Sequence, residues 1–488
     1  MRAVHALICL PVLLAPGCGG GSSPAAPAAL AVQPAAVTVL TGSTVAFSAS
    51  LGGVSGVAVT WSVVEAASGT ISAAGVYTAP LAPVTCHVQA ALASDPSRTA
   101  RAAVTVVPAA PPGTPDLGLG ASLNGWLPFP ADSPWNQDVS GLPADPASAA
   151  IIAFVGAGAG LHADFGSGTY DGAPIGIPYA VVAATQPRVA VAYQAYGDES
   201  DPGPMPIPVP PPFEGADPTG TSGDRHVIVL DRDNNFIYEL YGSQLQTGGS
   251  WKADSGAIWD ATSNALRPWG WTSADAAGLP LFPGLAKYGE VASDNLRHAL
   301  RLTVPTTRRA FVAPATHWAS SNTSASAPPM GARIRLKAGK DISGFPPQSR
   351  VILQALKTYG MILADNGSAW FISGSPDPRW DNADLHALGG ITGADLEVVQ
   401  MDTVHTTVPT GAAPVIQAFA ASPSTVAAGA SVTLSWTATG ATRFFLTPEP
   451  GPARGTSAVV KPAATTTYTL LAEGPYGSAT RTATVTVN

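Results

Sequence analysis

Val57 to Val64 read VAVTWSVV, a stretch in which apolar side chains recur at every second position. A period of two places these side chains on one face of an extended chain, so the stretch predicts a β-strand with one buried face. Similar short runs, separated by Gly, Ser and Pro, fill residues 29–108: VTVL, VAFSAS, GVYTA, CHVQAAL and RAAVTVV. Their number and spacing predict a β-sandwich.

Two segments resemble the bacterial Ig-like modules of secreted proteins. In the first, Trp61 in VTWSV is followed by GTISAAGVYTAP at Gly69 to Pro80. In the second, residues 413–488, SPSTVAAGASVTLSWTATGATRFFLTPEP carries Trp436 on an alternating strand. The resemblance implies a β-sandwich at residues 29–108 and another at residues 413–488. Both modules carry few charged residues, and we expect them to act as spacers, with binding of a polysaccharide as the alternative.

The amino terminus has the features of an export signal. Ala3 to Ala15 form an apolar run that is too short to span a bilayer. The following Ala15-Pro16-Gly17-Cys18 resembles a bacterial lipobox, which implies a signal peptide at residues 1–17, lipidation of Cys18 and a flexible linker at residues 18–28. An ordinary secretory signal is the alternative.

The position after the cysteine bears on localisation. Gly19 stands where lipoproteins retained in the inner membrane carry aspartate. The resemblance therefore implies a cell-envelope protein held by its lipid anchor in the outer membrane of a Gram-negative bacterium, with the membrane as one partner.

The composition limits both the fold and the partners. The 488 residues suggest about three domains, and 51 Gly and 47 Pro favour short strands joined by turns. A net charge of −8 offers no basic surface for nucleic acid. Cys86 is the one cysteine that lies inside a predicted domain, so we expect no intramolecular disulfide and a thiol packed in the core.

Residues 112–410 differ from the flanking modules and contain nine of the eleven tryptophans. Helices are predicted from about Pro146 to Val155, from Pro346 or Pro347 to Tyr359, and around Asn382 to Leu388. The other segments read as strands. The predicted fold class is mainly β: two Ig-like sandwiches flanking a larger β-rich domain, sandwich or barrel-like, with a few helices. The phrases GDRH, SADAAGLP, HALR and ADNGS resemble secreted proteins with Ig-like modules, which implies a self-standing domain outside the cytoplasm.

Charged residues and tryptophans are concentrated between Asn264 and Val304. Glycoside hydrolysis needs two carboxyl groups, one acting as an acid and the other as a base or nucleophile. Asp275 lies in WTSADAAG behind Trp269 and Trp271, and Glu290 ends LAKYGE. We expect Asp275 and Glu290 to be this catalytic pair. The alternatives are a helix cap for Asp275 and a surface acid for Glu290.

Two Arg-His pairs suggest a different enzyme. Arg297-His298 and Arg225-His226 each stand at the start of a predicted strand. In a polysaccharide lyase an arginine neutralises a uronate carboxylate and a histidine removes the C5 proton. Hydrogen-bonded structural histidines are the alternative for both pairs.

Substrate contacts are expected from aromatic and guanidinium groups near these candidates, since flat aromatic faces pack against sugar rings. The residues concerned are Trp269, Trp271, Arg267, Trp370, Trp380 and Arg225.

Histidine and cysteine spacing shows no zinc motif, and no cofactor is expected. Two acidic loops leave Ca²⁺ open, at Asp198–Asp201 and at Asp231–Asn235. A solvated loop is the alternative for the first, a hairpin turn for the second, and Glu214 is a further acid to test. The sequence thus predicts a cell-surface lipoprotein that binds and hydrolyses an extracellular polysaccharide. Its alternatives are a polysaccharide lyase and a non-catalytic adhesin.

Overall fold

The computed structural model describes residues 28–40, 44–80, 82–107 and 113–488. The predicted signal peptide, Cys18 and the linker as far as residue 27 lie outside these residues. The chain is mainly β, as predicted, and divides into two compact units, Met1–Pro111 and Pro112–Asn488. Within the described ranges no helix has the length and apolarity needed to cross a membrane.

The first unit consists of short strands around one apolar core. Cys86 and Tyr77 are fully buried there, and the Tyr77 hydroxyl lies 3.3 Å from the Cys86 sulfur. The predicted core thiol is therefore confirmed. The strands are β1 (Leu30–Gln33), β2 (Ala36–Leu40), β3 (Thr44–Ala46), β4 (Ser48–Leu51), β5 (Val54–Ser55), β6 (Val59–Val63), β7 (Thr70–Ile71), β8 (Val76–Thr78), β9 (Val84–Leu92) and β10 (Asp95–Val107).

The middle region begins the second unit and holds its four α-helices within the described residues. The strands of its first half are β11 (Gly118–Leu119), β12 (His162–Asp164), β13 (Thr169–Tyr170), β14 (Ala173–Pro174), β15 (Tyr179–Val182), β16 (Val191–Tyr193), β17 (Val227–Asp231), β18 (Phe236–Tyr241), β19 (Gln244–Leu245), β20 (Trp251–Ala253) and β21 (Ser255–Asp260). Those of its second half are β22 (Leu300–Val304), β23 (Arg308–Phe311), β24 (Pro329–Met330), β25 (Arg333–Leu336), β26 (Met361–Asn366), β27 (Phe371–Ser373) and β28 (Leu396–Val398).

The helices follow from local sequence signals. Pro347 lies in the first turn of the longest helix, and Gly360, with a φ of 68°, follows its end. The predictions around residues 146–155, 346–359 and 382–388 are confirmed, while a short helix at Tyr288–Ala292 was not predicted. The helices are α1 (Ser148–Val155), α2 (Tyr288–Ala292), α3 (Pro347–Thr358) and α4 (Asn382–His386).

Two sheets dominate the middle region. One has the strand order β11-β15-β17-β18-β21, and the other has the order β12-β27-β22-β26-β25-β28. Strand β17 is buried along its whole length because apolar clusters cover both faces of its sheet. Every sheet in the described part of the chain is open, so the barrel-like alternative does not hold.

The carboxy-terminal module folds as strands from two sheets around its own core, which includes the fully buried Leu434 and Tyr468. The same unit contains this module and the middle region. Its strands are β29 (Val415–Ser422), β30 (Thr425–Val426), β31 (Val432–Thr439), β32 (Arg443–Thr447), β33 (Gly451–Ala453), β34 (Ser457–Val460), β35 (Thr466–Gly474) and β36 (Gly477–Val487).

A buried ionic cluster joins this module to the middle region. Asp201 Oδ2 accepts hydrogen bonds from Arg267 Nη1 at 2.7 Å and from Arg443 Nη2 at 2.6 Å. Arg443 Nη1 donates in turn to Glu473 Oε2 at 2.7 Å. Asp201, Arg267 and Glu473 are all 0% exposed. Arg267, expected to contact substrate, is thus a structural residue. The solvated-loop alternative is wrong for Asp201, which is buried, and the Oδ2 of this acid binds two arginines instead of Ca²⁺.

Candidate active site

Asp275 is held by an arginine that the sequence did not single out. Arg301, on β22, donates from Nε to Asp275 Oδ2 at 2.8 Å and from Nη2 to Asp275 Oδ1 at 2.7 Å. This two-point geometry is the strongest form of an arginine–carboxylate pair. Asp275 is 2% exposed. Its carboxylate therefore orients Arg301 and does not face the solvent.

The remaining donors of Arg301 extend the network toward solvent. Nη2 also lies 3.1 Å from Asp365 Oδ2, and Nη1 donates to Ser373 Oγ at 2.9 Å. The Asp365 side chain is 30% exposed, so this carboxyl reaches the surface. Burial raises the pKa of Asp365 to about 6, the Asp275 charge acts in the same direction, and Arg301 opposes them. Asp365 is thus a carboxyl that holds its proton into the mildly acidic range.

A second pair lies beside this network, immediately before β17. His226 Nδ1 is 2.5 Å from Glu214 Oε2, and His226 Nε2 is 3.1 Å from the carbonyl oxygen of Ala274. Both ring nitrogens face acceptors, which requires a proton on each. Burial opposes that charge, but Glu214 outweighs it and raises the pKa of His226 to about 9. His226 is therefore an imidazolium near neutral pH.

The pKa of Glu214 is shifted in the opposite direction from that of Asp365. Burial alone would raise its pKa, but the charge and hydrogen bonds of His226 outweigh it and hold the pKa of Glu214 below its ordinary value. Arg301 acts in the same direction as His226. The groups around Arg301, called the cleft below, thus combine an ionised carboxylate at Glu214 with a protonated carboxyl at Asp365 in mildly acidic solution.

Two exposed acids complete the cleft. Asp224, Glu214 and His226 each bring one polar atom to within 4.8 Å of the others, a spacing that would suit a cation. A metal bound by His226 would have to displace the proton that now bonds Glu214, so this donor set fits a metal poorly. Asp164, on β12, is exposed at its surface, but the surrounding protein partly removes its carboxyl from water and raises its pKa; His162 and Arg301 oppose this effect, while Glu214 and Asp224 add to it.

The register of the second sheet brings together Asp164, Ser373, Arg301 and Asp365. Strands β12 and β27 are parallel with Asp164 opposite Ser373, and β27 is antiparallel to β22, which carries Arg301. Strand β26, on the other side of β22, carries Asp365. Residues far apart in the chain thus lie on adjacent strands, and the loop that contains Asp275 closes the network from the side.

Glu290 and His298 form a separate buried pair. His298 Nε2 lies 3.1 Å from Glu290 Oε2, and Lys287 Nζ lies 3.8 Å from the same oxygen. Burial opposes ionisation of Glu290, but the charges of Lys287 and His298 keep its pKa below the ordinary value. Glu290 therefore bonds to these two residues, whereas Asp275 bonds to Arg301. The two acids are not brought together in one ion-pair network.

The arginines of the two expected lyase pairs donate hydrogen bonds to backbone carbonyl groups. Arg297 Nη2 donates to the Gly125 carbonyl at 3.1 Å. Arg225 donates to the carbonyl oxygens of Thr221 at 2.6 Å and Ser243 at 3.1 Å. The Arg225 guanidinium is thus largely occupied by backbone carbonyl groups, whereas Arg297 makes this one contact through Nη2.

The aromatic residues are also more structural than expected. Trp370 is fully buried with its Nε1 donating to the Gly156 carbonyl at 2.8 Å, and Trp380 is 3% exposed. This corrects the expected sugar platform at these two positions, because neither ring is accessible. Trp269, partly buried, stacks on Phe311 with a centroid distance of 5.6 Å, and Trp271 lies beside the structural Arg267.

The second acidic loop forms a hairpin turn between β17 and β18. Asp231 is 1% exposed, and its Oδ2 accepts a hydrogen bond from Asn234 Nδ2 at 2.8 Å. The hairpin alternative is confirmed there, and the Asp231 carboxylate is committed to its own turn.

Sequence reasoning missed several residues of the cleft: Asp164, Asp224, Arg301 and Ser373. Asp365 was noted only as part of the phrase ADNGS. One signal was present. His162 and Asp164 alternate in HAD, as Arg301 and Thr303 do in RLT, so each strand carries polar side chains on one face. The pairing of those strands is not visible in the sequence.

Comparison with known proteins gives no family. No family model matches the chain, and no curated protein matches it. A structure of the N-terminal eight Ig domains of Down Syndrome Cell Adhesion Molecule isoform 1.30.30 is similar at 8% identity and a TM-score of 0.15, over 95% of this chain and 55% of that one. Domains 4–9 of the surface layer protein SbsC give 12% identity and a TM-score of 0.16, over 94% and 82%.

This chain therefore spans about half of the first of those structures. Structural similarity at this level says nothing about the function of this chain.

Proposed function

We propose that the middle region is a glycoside hydrolase of extracellular polysaccharide, with Asp365 as the general acid and Glu214 as the base or nucleophile. The proposal keeps the activity expected from the sequence and moves it to another pair of carboxyl groups. One observation carries it: Arg301 lies 3.1 Å from Asp365, a partly exposed carboxyl with a raised pKa, and its charge also acts on Glu214, a carboxylate whose pKa is lowered. Opposite displacement of two carboxyl pKa values is the usual basis for separate acid and base roles.

The neighbours support these roles. Asp365 would donate its proton to the glycosidic oxygen, and Arg301, 3.1 Å from its Oδ2, would stabilise the carboxylate that remains. Asp275 positions Arg301 through two hydrogen bonds. His226 keeps Glu214 ionised, so that it can attack the sugar or activate water.

The lyase alternative is less well supported. A C5-proton base must be unprotonated, whereas Glu214 raises the pKa of His226 to about 9. His298 is 1% exposed and bonded at both nitrogens. A non-catalytic adhesin would bind the same glycans with no product.

The test uses the full chain and a panel of polysaccharides, with reducing ends and unsaturated products measured together. Asp365→Asn and Glu214→Gln should each reduce the release of reducing ends at least about a hundredfold. Asp402→Asn, an exposed acid outside the cleft, is the matched control and should keep full activity. Unsaturated products would establish a lyase instead, and binding without either product an adhesin.

We also propose the setting that the sequence implies: a lipid-anchored envelope protein of the outer membrane whose flanking sandwiches are Ig-like spacers. The resemblance of residues 15–18 to a lipobox supports the anchor. The clustering of charge and tryptophan in the middle region supports a spacer role for the flanks.

A further inference from the structure

A hollow of about 720 Å³ opens beside the cleft. Strand β12 and the loop after it form one wall, the β13–β14 hairpin a second, and strand β27 with helix α4 the rest. Its floor is apolar, with Leu161, Phe165 and Leu385, while its polar groups include Asp164 and His386. This volume lies in the range of pockets that bind a small-molecule ligand.

Aromatic faces line this hollow. The His162 and Phe371 rings are stacked with a centroid distance of 4.1 Å and an interplanar angle of 28°. Tyr170, at the edge of the β13–β14 hairpin, is 80% exposed. An exposed tyrosine and the outer faces of a stacked ring pair provide flat surfaces for a sugar ring.

Asp164 connects the hollow to the Arg301 network through the neighbouring strand β27. This residue lines the hollow and stands opposite Ser373 in the β12–β27 register, while Ser373 Oγ accepts the hydrogen bond from Arg301. A chain-like ligand whose scissile bond lies at Arg301 and Asp365 would thus extend past Asp164 under Tyr170.

The charge at this junction is negative. The Arg301 guanidinium is already bound by Asp275 and Asp365, and His226 by Glu214. Among the described residues, Asp164 has neither an ion-pair partner nor a side-chain hydrogen bond, and it is exposed. Asp224 adds a second exposed carboxylate close to Glu214 and His226. A cleft lined by one sign of charge concentrates ligands of the opposite sign and repels like charge.

We propose that the hollow is a subsite for a sugar unit bearing a free amino group, so that the preferred ligand is a chain of deacetylated hexosamines. Asp164 pairs with the ammonium group, while Tyr170 and Phe371 contact the ring and its cationic substituent. The same charges disfavour uronate polymers. This inference rests on the proposed function only in taking a glycan as the ligand.

The test measures binding by calorimetry to the full chain at mildly acidic pH, where the amino groups are charged. The probes are a glucosamine hexamer, an N-acetylglucosamine hexamer and an oligogalacturonate of equal length. The glucosamine hexamer should bind about tenfold more tightly than the acetylated one, since a hydrogen bond to a charged group is lost on acetylation. The oligogalacturonate should bind least.

Variants separate the two features of the subsite. Asp164→Asn should abolish the preference for the free amine, and Tyr170→Ala should weaken binding of both hexosamine probes about three- to tenfold. Tyr476→Ala, an exposed tyrosine in the carboxy-terminal module, is the matched control and should bind as wild type. Equal binding of the two hexosamine probes, or no effect of either subsite variant, would overturn the inference.

Failure of this inference differs from failure of the hydrolase. Binding that prefers the free amine without release of reducing ends would refute the hydrolase and retain the subsite. Release of reducing ends with no preference for the amine and no effect of Tyr170→Ala would refute the subsite and retain the hydrolase.

Discussion

The buried cluster that joins the carboxy-terminal module to the middle region should make stability depend on pH. Glu473 is 0% exposed and accepts a hydrogen bond from Arg443 at 2.7 Å. Burial raises its pKa to about 7, the Asp201 charge adds to this effect, and Arg443 opposes it. Within the described residues, Glu473 Oε1 and Asp201 Oδ1 have no hydrogen-bond partner. If Glu473 is protonated, its carboxyl can donate a hydrogen bond to Asp201.

The direction of the effect follows from the two states. The folded pKa lies above the ordinary value of 4.5, so between these values the folded state binds more protons than the unfolded state. The contribution of Glu473 is therefore fully present below about pH 4.5 and is lost as the pH rises through about 7. Each pKa unit is worth about 1.4 kcal/mol, so the loss amounts to at most about 3 kcal/mol.

Glu473→Gln replaces the protonated carboxyl by a neutral group of the same shape that can still accept from Arg443. We expect the variant to match wild type within about 1 kcal/mol at pH 5 and to exceed it by about 2–3 kcal/mol at pH 8.5. Denaturant unfolding followed by tryptophan fluorescence suits this test, because ten of the eleven tryptophans lie in the second unit.

Glu449→Gln, an exposed carboxyl of the same module, is the control and should follow wild type at both pH values. Glu239 is also buried, with a pKa raised to about 7, so wild type should lose stability through both groups. The difference between Glu473→Gln and wild type isolates one of them. A difference that does not grow between pH 5 and pH 8.5 would refute the shared-proton reasoning.

Two further predictions concern the cleft and the anchor. Arg301→Met should reduce the free energy of unfolding by about 3–5 kcal/mol because it leaves Asp275 buried without its partner. Arg309→Met, on the surface, is the control and should change this free energy by less than about 0.5 kcal/mol. Denaturant unfolding measures both variants, and equal stability of the two would contradict the role given to Arg301. Cys18→Ser should move the protein from the membrane fraction to the soluble fraction and abolish incorporation of radiolabelled palmitate; membrane association that persists in the variant would exclude the anchor.

Local structure was largely predictable from the sequence. Alternation at Val59, Trp61 and Val63 matches β6, and the proline before α3 and the glycine after it mark that helix. The buried Cys86 was predicted from the same periodicity. These signals depend on neighbours along the chain, which the sequence displays.

The candidate site was less predictable because its contacts are long-range. Asp275 was chosen for its neighbouring tryptophans, but its partner is Arg301 on a strand further along, and Asp365 joins through the parallel pairing of β22 and β26. Sequence gives no register for such pairing. Trp370 was wrongly predicted to contact a sugar for a related reason. The sequence does not distinguish a tryptophan that donates to a buried carbonyl from one that faces a ligand.

The rate of glycan hydrolysis as a function of pH, in wild type and in Asp365→Asn, tests the central claim most directly. If Asp365 is the general acid, the wild-type rate should fall as the pH rises above about 6, the pKa to which burial raises this carboxyl. The variant should lose at least about a hundredfold in rate while its unfolding curve stays close to wild type. A variant that retains wild-type rate and pH profile would contradict the proposed site.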